Sequence, residues 1–310
     1  MSNTWNGMTF TNIAREGFDA LLQALVPLTA FTRDFSTDVP QGTKVQSRIV
    51  AASTADDLTS DHSGDYSAAA KDSTTTQIEV TLNKRPVDGF NLTDTEAQNI
   101  GAGVWSDTAQ RIVRTKAYSV AKSYLDDVFE LITDSNYGSA KVTTSAATFD
   151  VDDVVKLRQE AVSAGWLHSP ENSVMVLNPA LYAALLKDGD IKNYSSSQSD
   201  ALRSGELPRL AGFRVIEAPT LPGNNENLVG FTAQVDCIAV ALRAVQSQAS
   251  GDFEAFEILQ DDVTGVVMTY AAWFDRNYRK MNHSFELFGG ASKANGDALH
   301  RIVSTSGLDT

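Results

Sequence analysis

Between residues 52 and 75 the chain is built almost wholly from Ala, Ser, Thr, Asp and Gly, with Leu58 and Tyr66 as its only large apolar side chains. A stretch so poor in apolar surface cannot offset its own conformational entropy. Yet segments that read as strands flank it. Residues 43–51 are rich in β-branched types, and in residues 76–82 Val80 and Leu82 alternate with Glu79 and Thr81, the period of a half-exposed strand. Two strands joined by so long a polar connection predict an extended hairpin that no core of its own holds down. Connections of this length inside a compact domain are disordered or functional. The chain is thereby restricted to folds that project a long arm from a body.

The rest of the sequence supplies the body. Residues 11–26 read as an amphipathic helix, with Ile13, Leu21 and Leu25 in one stripe, Phe18 and Leu22 widening it, and Pro27 ending it. Its polar face is not basic, so it suits docking on protein better than lying on a membrane. Thr93 and Glu96 form a capping box. Past Gly101 and Gly103 a long helix is expected from Ser106 to about Thr133, roughly 40 Å at 1.5 Å per residue. Its charges are sorted: Arg111, Arg114, Lys116 and Lys122 precede Asp126, Asp127, Glu130 and Asp134. That order opposes the helix dipole and calls for neutralising groups on other segments or subunits.

From Ser145 onward helix and strand signals alternate. Asp150 can cap a helix through Val154, Val155, Leu157 and Val162 to a stop at Gly165. A buried strand follows at 173–177, and Asn178 with Pro179 starts a helix ending at Lys187. Residues 193–205 read as polar loop, 212–217 as a strand stopped by Pro219, and 221–227 as a turn. Further strands are expected at 228–231, 236–245, 256–259, 265–274 and 284–288. There is no internal repeat, and the class is α+β with mixed sheets.

Chemistry is sparse. No nucleophile elbow, zinc-protease helix or phosphate-cradling loop occurs. Gly101 and Gly103 begin like a dinucleotide fingerprint, but Ser106 replaces the last glycine and no strand leads in. His62, His168, His283 and His300 lack metal-ligand spacing, and surface exposure is expected for each. Asp152 with Asp153, and Asp261 with Asp262, suit a helix start and a turn better than paired acid–base work. Tyr270, Trp273, Phe274 and Tyr278 read as core and sheet surface rather than a base-stacking platform. Cys237, the one cysteine, sits in an apolar run and reads as a buried thiol. No catalytic, cofactor or metal site is expected, and a soluble α+β enzyme would need a convergent buried pocket.

Charge excludes a further class. Asp plus Glu number 39 against 25 Lys plus Arg, a formal charge of −14. A protein that grips nucleic acid through its phosphates needs the opposite balance. No basic-then-apolar leader opens the sequence, and no window reaches the ~18 apolar residues of a membrane helix. The expectation is a chain in a reducing cytosol, where the sequons at Asn91, Asn193 and Asn282 carry no weight.

In order and spacing these parts resemble the major capsid protein of tailed double-stranded-DNA bacteriophages, the Hong Kong 97-type fold. The resemblance rests on residues 42–50, Gly64 to Tyr66 and 76–84 as an extended loop. Residues 90–94 with the long helix resemble a peripheral domain and its spine, and 176–187 and 210–219 resemble an axial domain. It implies an amino-terminal arm at 1–38, the extended loop at 39–90, the peripheral domain at 91–144, the axial domain at 145–255, and a return to the peripheral domain at 256–310. It implies pentamers and hexamers closing into an icosahedral virion shell, assembled in the host cytoplasm. The shell would enclose DNA without sequence-specific binding, and its acidity would repel phosphates during packaging. Portal and scaffolding proteins are implied partners; the scaffold is expected to be separate because little sequence precedes the arm. A decoration protein is left open, and no membrane is involved. Expected inter-subunit contacts are Asp56, Asp57, Asp61 and Lys71 on the tip, with Arg111 and Arg114 on the helix. Some members crosslink a loop lysine to an asparagine of another subunit; Lys71 is the tip's only lysine, and its ordinary reading is a solvated one. An encapsulin-type nanocompartment shell of the same fold is the alternative, told apart by protein rather than nucleic-acid cargo.

The charge yields a first prediction. The free subunit will show no binding to duplex DNA at physiological salt in an anisotropy titration. Micromolar affinity with a steep salt dependence would contradict it.

Overall fold

The computed structural model describes residues 10–36, 42–50, 75–93, 102–166, 173–189, 207, 209–219, 221, 224–245 and 250–305. Helix α1 (Phe10–Leu25) buries Ile13, Ala14, Phe18, Leu21 and Leu25, and a tight turn holding Pro27 ends it. Strands β1 (Thr32–Asp34), β2 (Lys44–Val50), β3 (Thr75–Thr81) and β4 (Val87–Thr93) precede the long helix α2 (Ala102–Phe129). A short helix α3 (Asp134–Tyr137) and strand β5 (Val142–Thr144) lead to α4 (Val151–Ser163), β6 (Ser173–Leu177) and α5 (Pro179–Lys187). The remainder is β: β7 (Arg214–Glu217), β8 (Leu228–Gln234), β9 (Ile238–Arg243), β10 (Ala255–Gln260), β11 (Val267–Asp275), β12 (Lys280–Glu286), β13 (Phe288–Lys293) and β14 (Leu299–Ser304).

These strands form four sheets, ordered β1-β9-β13, β10-β11-β12-β4, β5-β14-β8-β6-β7 and the hairpin β2-β3. The five-stranded sheet is mixed, with β14 parallel to β5 and antiparallel to β8. It is covered on both faces. Val174, Val176, Phe231, Ala233 and Leu299 face the main core with α1 and α2, while Met175, Leu177 and Ile302 face a second core under α4 and α5. That explains why β6 is apolar throughout rather than alternating. The expected caps are present: the Asp153 amide donates to Asp150 and the Leu181 amide to Asn178.

Several expectations are corrected. The long helix starts at Ala102 rather than Ser106, taking in Gly103, and stops at Phe129 rather than Thr133. It stops early because the chain turns inward to bury Ile132, while Asn136 and Asn224 donate to the carbonyls of Leu131 and Ile132. The capping box and the 193–205 loop lie outside the described residues, except that Thr93 ends β4. The 284–288 segment is the junction of two strands, broken at Leu287. The exposure expected of His283 and His300 is overturned, since each is about 5% exposed or less. His283 lies at the middle of β12 against Tyr270, and His300 lies on the interior strand β14 with its ring stacked on Trp166 at 4.6 Å. Burial pushes both imidazoles down to about 4. His62 and His168 lie outside the described residues.

Next to His300, Arg301 is 3% exposed and pairs with Asp134 and Glu226 while donating to the Gly138 carbonyl. Glu226 also accepts from the Asp134 amide at 2.8 Å. One guanidinium thus ties β14 to α3 and to the turn before β8. Arg301→Met will lower the unfolding free energy by about 2 kcal/mol, modest because both carboxylates keep access to water. Denaturant titration will show a shifted midpoint with an unchanged slope.

Candidate functional site

The described residues contain no enzyme-like constellation. No group of three His, Cys, Asp or Glu side chains among them stands at metal-holding distance. The candidate carboxylate pairs are structural. Asp153 accepts from Thr144, and burial raises its carboxyl; Asp261 accepts from the Thr264 hydroxyl and amide, which hold its carboxyl low. Cys237 donates to the Phe31 carbonyl at 3.0 Å, and burial pushes its thiol up, away from reactivity. Among the described residues no helix is long and apolar enough to cross a membrane.

What the structure builds instead is surface. The hairpin β2–β3 pairs in register from Lys44 with Thr81 to Val50 with Thr75. Its root is fixed: Val45, Ile78, Val80 and Leu82 are buried against Phe35, Ala239 and Ala241. The expectation of a hairpin wholly without core is thereby corrected, because the root has a small core; the polar run lies outside the described residues. The Leu82 amide donates to the Thr43 carbonyl and closes the base of the hairpin, and paired backbone bonds between Lys84 and Gly289 stitch the root to β13. Gly290 makes this approach feasible, since a Cβ there would stand 2.0 Å from the Thr81 carbonyl oxygen. On the exposed side Lys44 and Gln46 hydrogen-bond Glu79 and hold its carboxyl below the ordinary range.

Three of the charges of α2 are met from within the chain. Arg114 pairs with Glu16 of α1, Lys116 with Asp88 of β4, and Asp127 with Lys84 beyond the hairpin. Of the expected contact residues, Arg111 is exposed and makes no ion pair among the described residues, and Arg114 is exposed but engaged. Asp56, Asp57, Asp61 and Lys71 lie outside the described residues.

A second surface lies on the outer face of the β10–β11–β12–β4 sheet. Phe253, Phe256 and Trp273 gather there, Phe253 standing edge-on to Trp273 at 6.1 Å, beside the Arg85–Glu286 pair. They line an open hollow of about 580 Å³. At its end the β11–β12 turn exposes Phe274, Tyr278, Arg276 and Arg279, and Asp275 accepts from the turn amides. Of the aromatic set only Tyr270 is core. The sequence held these basic residues in view, but the acidic balance of the whole chain masked a local basic turn.

Comparison with known proteins now decides the family. A family model described as phage capsid protein matches residues 75–279. The chain belongs to the phage capsid protein family. The fold agrees across nearly the whole chain. The capsid of cyanophage Pam1 superposes with a TM-score of 0.61 at 11% identity, covering 91% of this chain and 92% of that one. The capsid of cyanophage P-SCSP1u gives 0.59 at 13%, covering 90% and 88%. A virus-like particle from Pyrococcus furiosus gives 0.53 at 13%, covering 94% and 98%. Identities this low show the fold alone, and it is the family model that marks a phage major capsid protein. No curated protein matches the sequence.

In this capsid subunit the anchored root is the testable part of the hairpin. Gly290→Ala will force β13 and the root apart, lowering stability by about 1–3 kcal/mol. Hydrogen exchange at residues 77–82 will accelerate more than in α4, which shares no contact with the root.

Proposed function

We propose that the protein is a shell-building subunit that closes into an icosahedral capsid around a double-stranded-DNA genome, through pentamers and hexamers of itself. The observation that carries this reading is the family match, which spans the hairpin return strand, the spine helix α2 and the axial elements. The role is structural rather than catalytic. The arm, extended loop, peripheral and axial divisions set out from the sequence are carried forward on the same ground. The separate cores support them: one unites α1, α2 and the late strands, another lies under α4 and α5, and a third sits at the hairpin root.

The contact chemistry follows from charge. The hairpin's polar run carries Asp56, Asp57, Asp61, Asp65 and Asp72 against Lys71 alone. It needs a basic counterpart on a neighbouring copy, and Arg111 together with Arg276 and Arg279 offers exposed positive charge. Arg114 is a weaker candidate than the sequence implied, being committed to Glu16. Portal and a separate scaffolding protein are expected partners, a decoration protein is left open, and assembly takes place in the host cytoplasm.

Negative-stain microscopy of the purified chain, with its scaffold co-expressed, will show closed shells, and native particles will carry nucleic acid by their absorbance ratio. A compact monomer under every condition would refute the proposal, and shells filled with a protein guest would favour a nanocompartment. Replacing residues 56–72 with a tight turn will leave the subunit folded, with unchanged thermal unfolding, yet abolish or weaken shell formation. Normal shells from that variant would remove the assigned role of the loop.

A further inference from the structure

His283 is buried in a place that α1 helps to close. Its ring stacks on Phe90 of β4 at 4.6 Å, and its Nδ1 is 2.7 Å from the Tyr270 hydroxyl. Phe10, the first residue of α1, packs at 6.1 Å from the ring. Beside it the Thr11 hydroxyl donates to Glu257 of β10 at 2.8 Å. The imidazole is 4% exposed, and its hydrogen bond to tyrosine is neutral. The charged groups on the surrounding elements are engaged elsewhere or set apart. Glu16 of α1 pairs with Arg114, Asp88 of β4 pairs with Lys116 of α2, and Glu257 holds Thr11. Arg15 and Asp19 of α1 are exposed, and on its own strand Glu286 pairs with Arg85 while Lys280 sits at the end opposite Thr93. A proton on this imidazole would therefore meet no carboxylate.

We propose that Phe10 is an apolar lid over His283, so that protonation of His283 loosens the first turn of α1 from the peripheral sheet. The rest of α1 stays anchored by Phe18, Leu21 and Leu25, so the response is a local opening of the arm rather than unfolding. The sign follows from linkage. Burial alone lowers the imidazole from its ordinary 6.5 to about 4. A lid that opens returns it toward the ordinary value, so opening gains as pH falls below about 6.5 and stops gaining below about 4. At pH 5 the open form is favoured roughly 30-fold more than at pH 7.5 if the ring becomes fully solvated.

The test is a histidine NMR titration of the unassembled full chain labelled at its four histidines. In Phe10→Ala the His283 resonance will titrate well above its wild-type value of about 4, toward 6.5. Phe10→Leu, a milder change that keeps part of the lid, will give a smaller rise and serves if the alanine variant is poorly folded. Hydrogen exchange of residues 10–20 supplies a second readout. The ratio of wild-type to His283→Gln rates will rise up to about 30-fold between pH 7.5 and pH 5. An unchanged His283 titration in both Phe10 variants, or a ratio that does not move with pH, overturns the proposal.

Discussion

Strand β14 is the member on which the subunit closes. It lies between β5 and β8 in the five-stranded sheet, and the sheet separates the two larger cores. Leu299 points into one core and Ile302 into the other, both fully buried, each worth about 1.5–3 kcal/mol of transfer from water. Arg301 adds a directional tie that apolar burial lacks, because a guanidinium fixes the orientation of its two carboxylates. Strand β13 does the same for the hairpin root and β9. Both strands come from the last part of the described chain, so the cores are completed by contacts distant in sequence, which slows folding and ties every region to the same late step.

The spine helix shows how an unfavourable local arrangement is kept. Its first turn holds no acid and its last turn no base, so its dipole is left uncompensated within the helix. The compensation is tertiary: α1, β4 and the segment after the hairpin each send a partner to one of its charges. These pairs keep access to water on the basic side, and each is worth about 1 kcal/mol at most. Their effect is to set register among α1, the hairpin root and the peripheral sheet, while apolar burial by Val113, Ala117, Val120, Tyr124 and Val128 holds the helix down. Asp126 is held differently: burial raises its carboxyl, and its Oδ1 accepts no hydrogen bond among the described residues.

The sequence disclosed those elements whose period or cap is local. The apolar stripe of α1, the Asp150 and Asn178 caps and the run of β6 all lie where they were expected. It hid elements whose polar residues are satisfied at a distance. Strand β14 reads as Leu-His-Arg-Ile-Val-Ser, and nothing local says that its histidine stacks on Trp166 or that its arginine meets Glu226. Strand β4 is hidden for the same reason, since Asp88 and Asn91 interrupt its apolar pattern and its pairing comes from the distant β12. The assembly surface divides likewise. The hairpin was legible from composition, whereas its attachment depends on Gly290, whose importance appears only when Thr81 is seen against it.

That attachment divides the hairpin into two mechanical parts. Apolar side chains alternate inward from Val45 and from Ile78 to Leu82, and these are the positions that the third core retains. Past Val50 the sequence offers little apolar surface beyond Leu58 and Tyr66, and is mostly carboxylates and small residues. A strand pair fixed at one end transmits the orientation of the body outward, and on the proposed reading its acidic continuation is what meets another chain. On that reading specificity of assembly is separated from stability of the subunit, the acidic run setting which neighbour is met and the root setting whether the subunit holds its shape. An assembling protein gains from that separation, because the subunit must be stable before it meets a neighbour and reactive toward one afterwards.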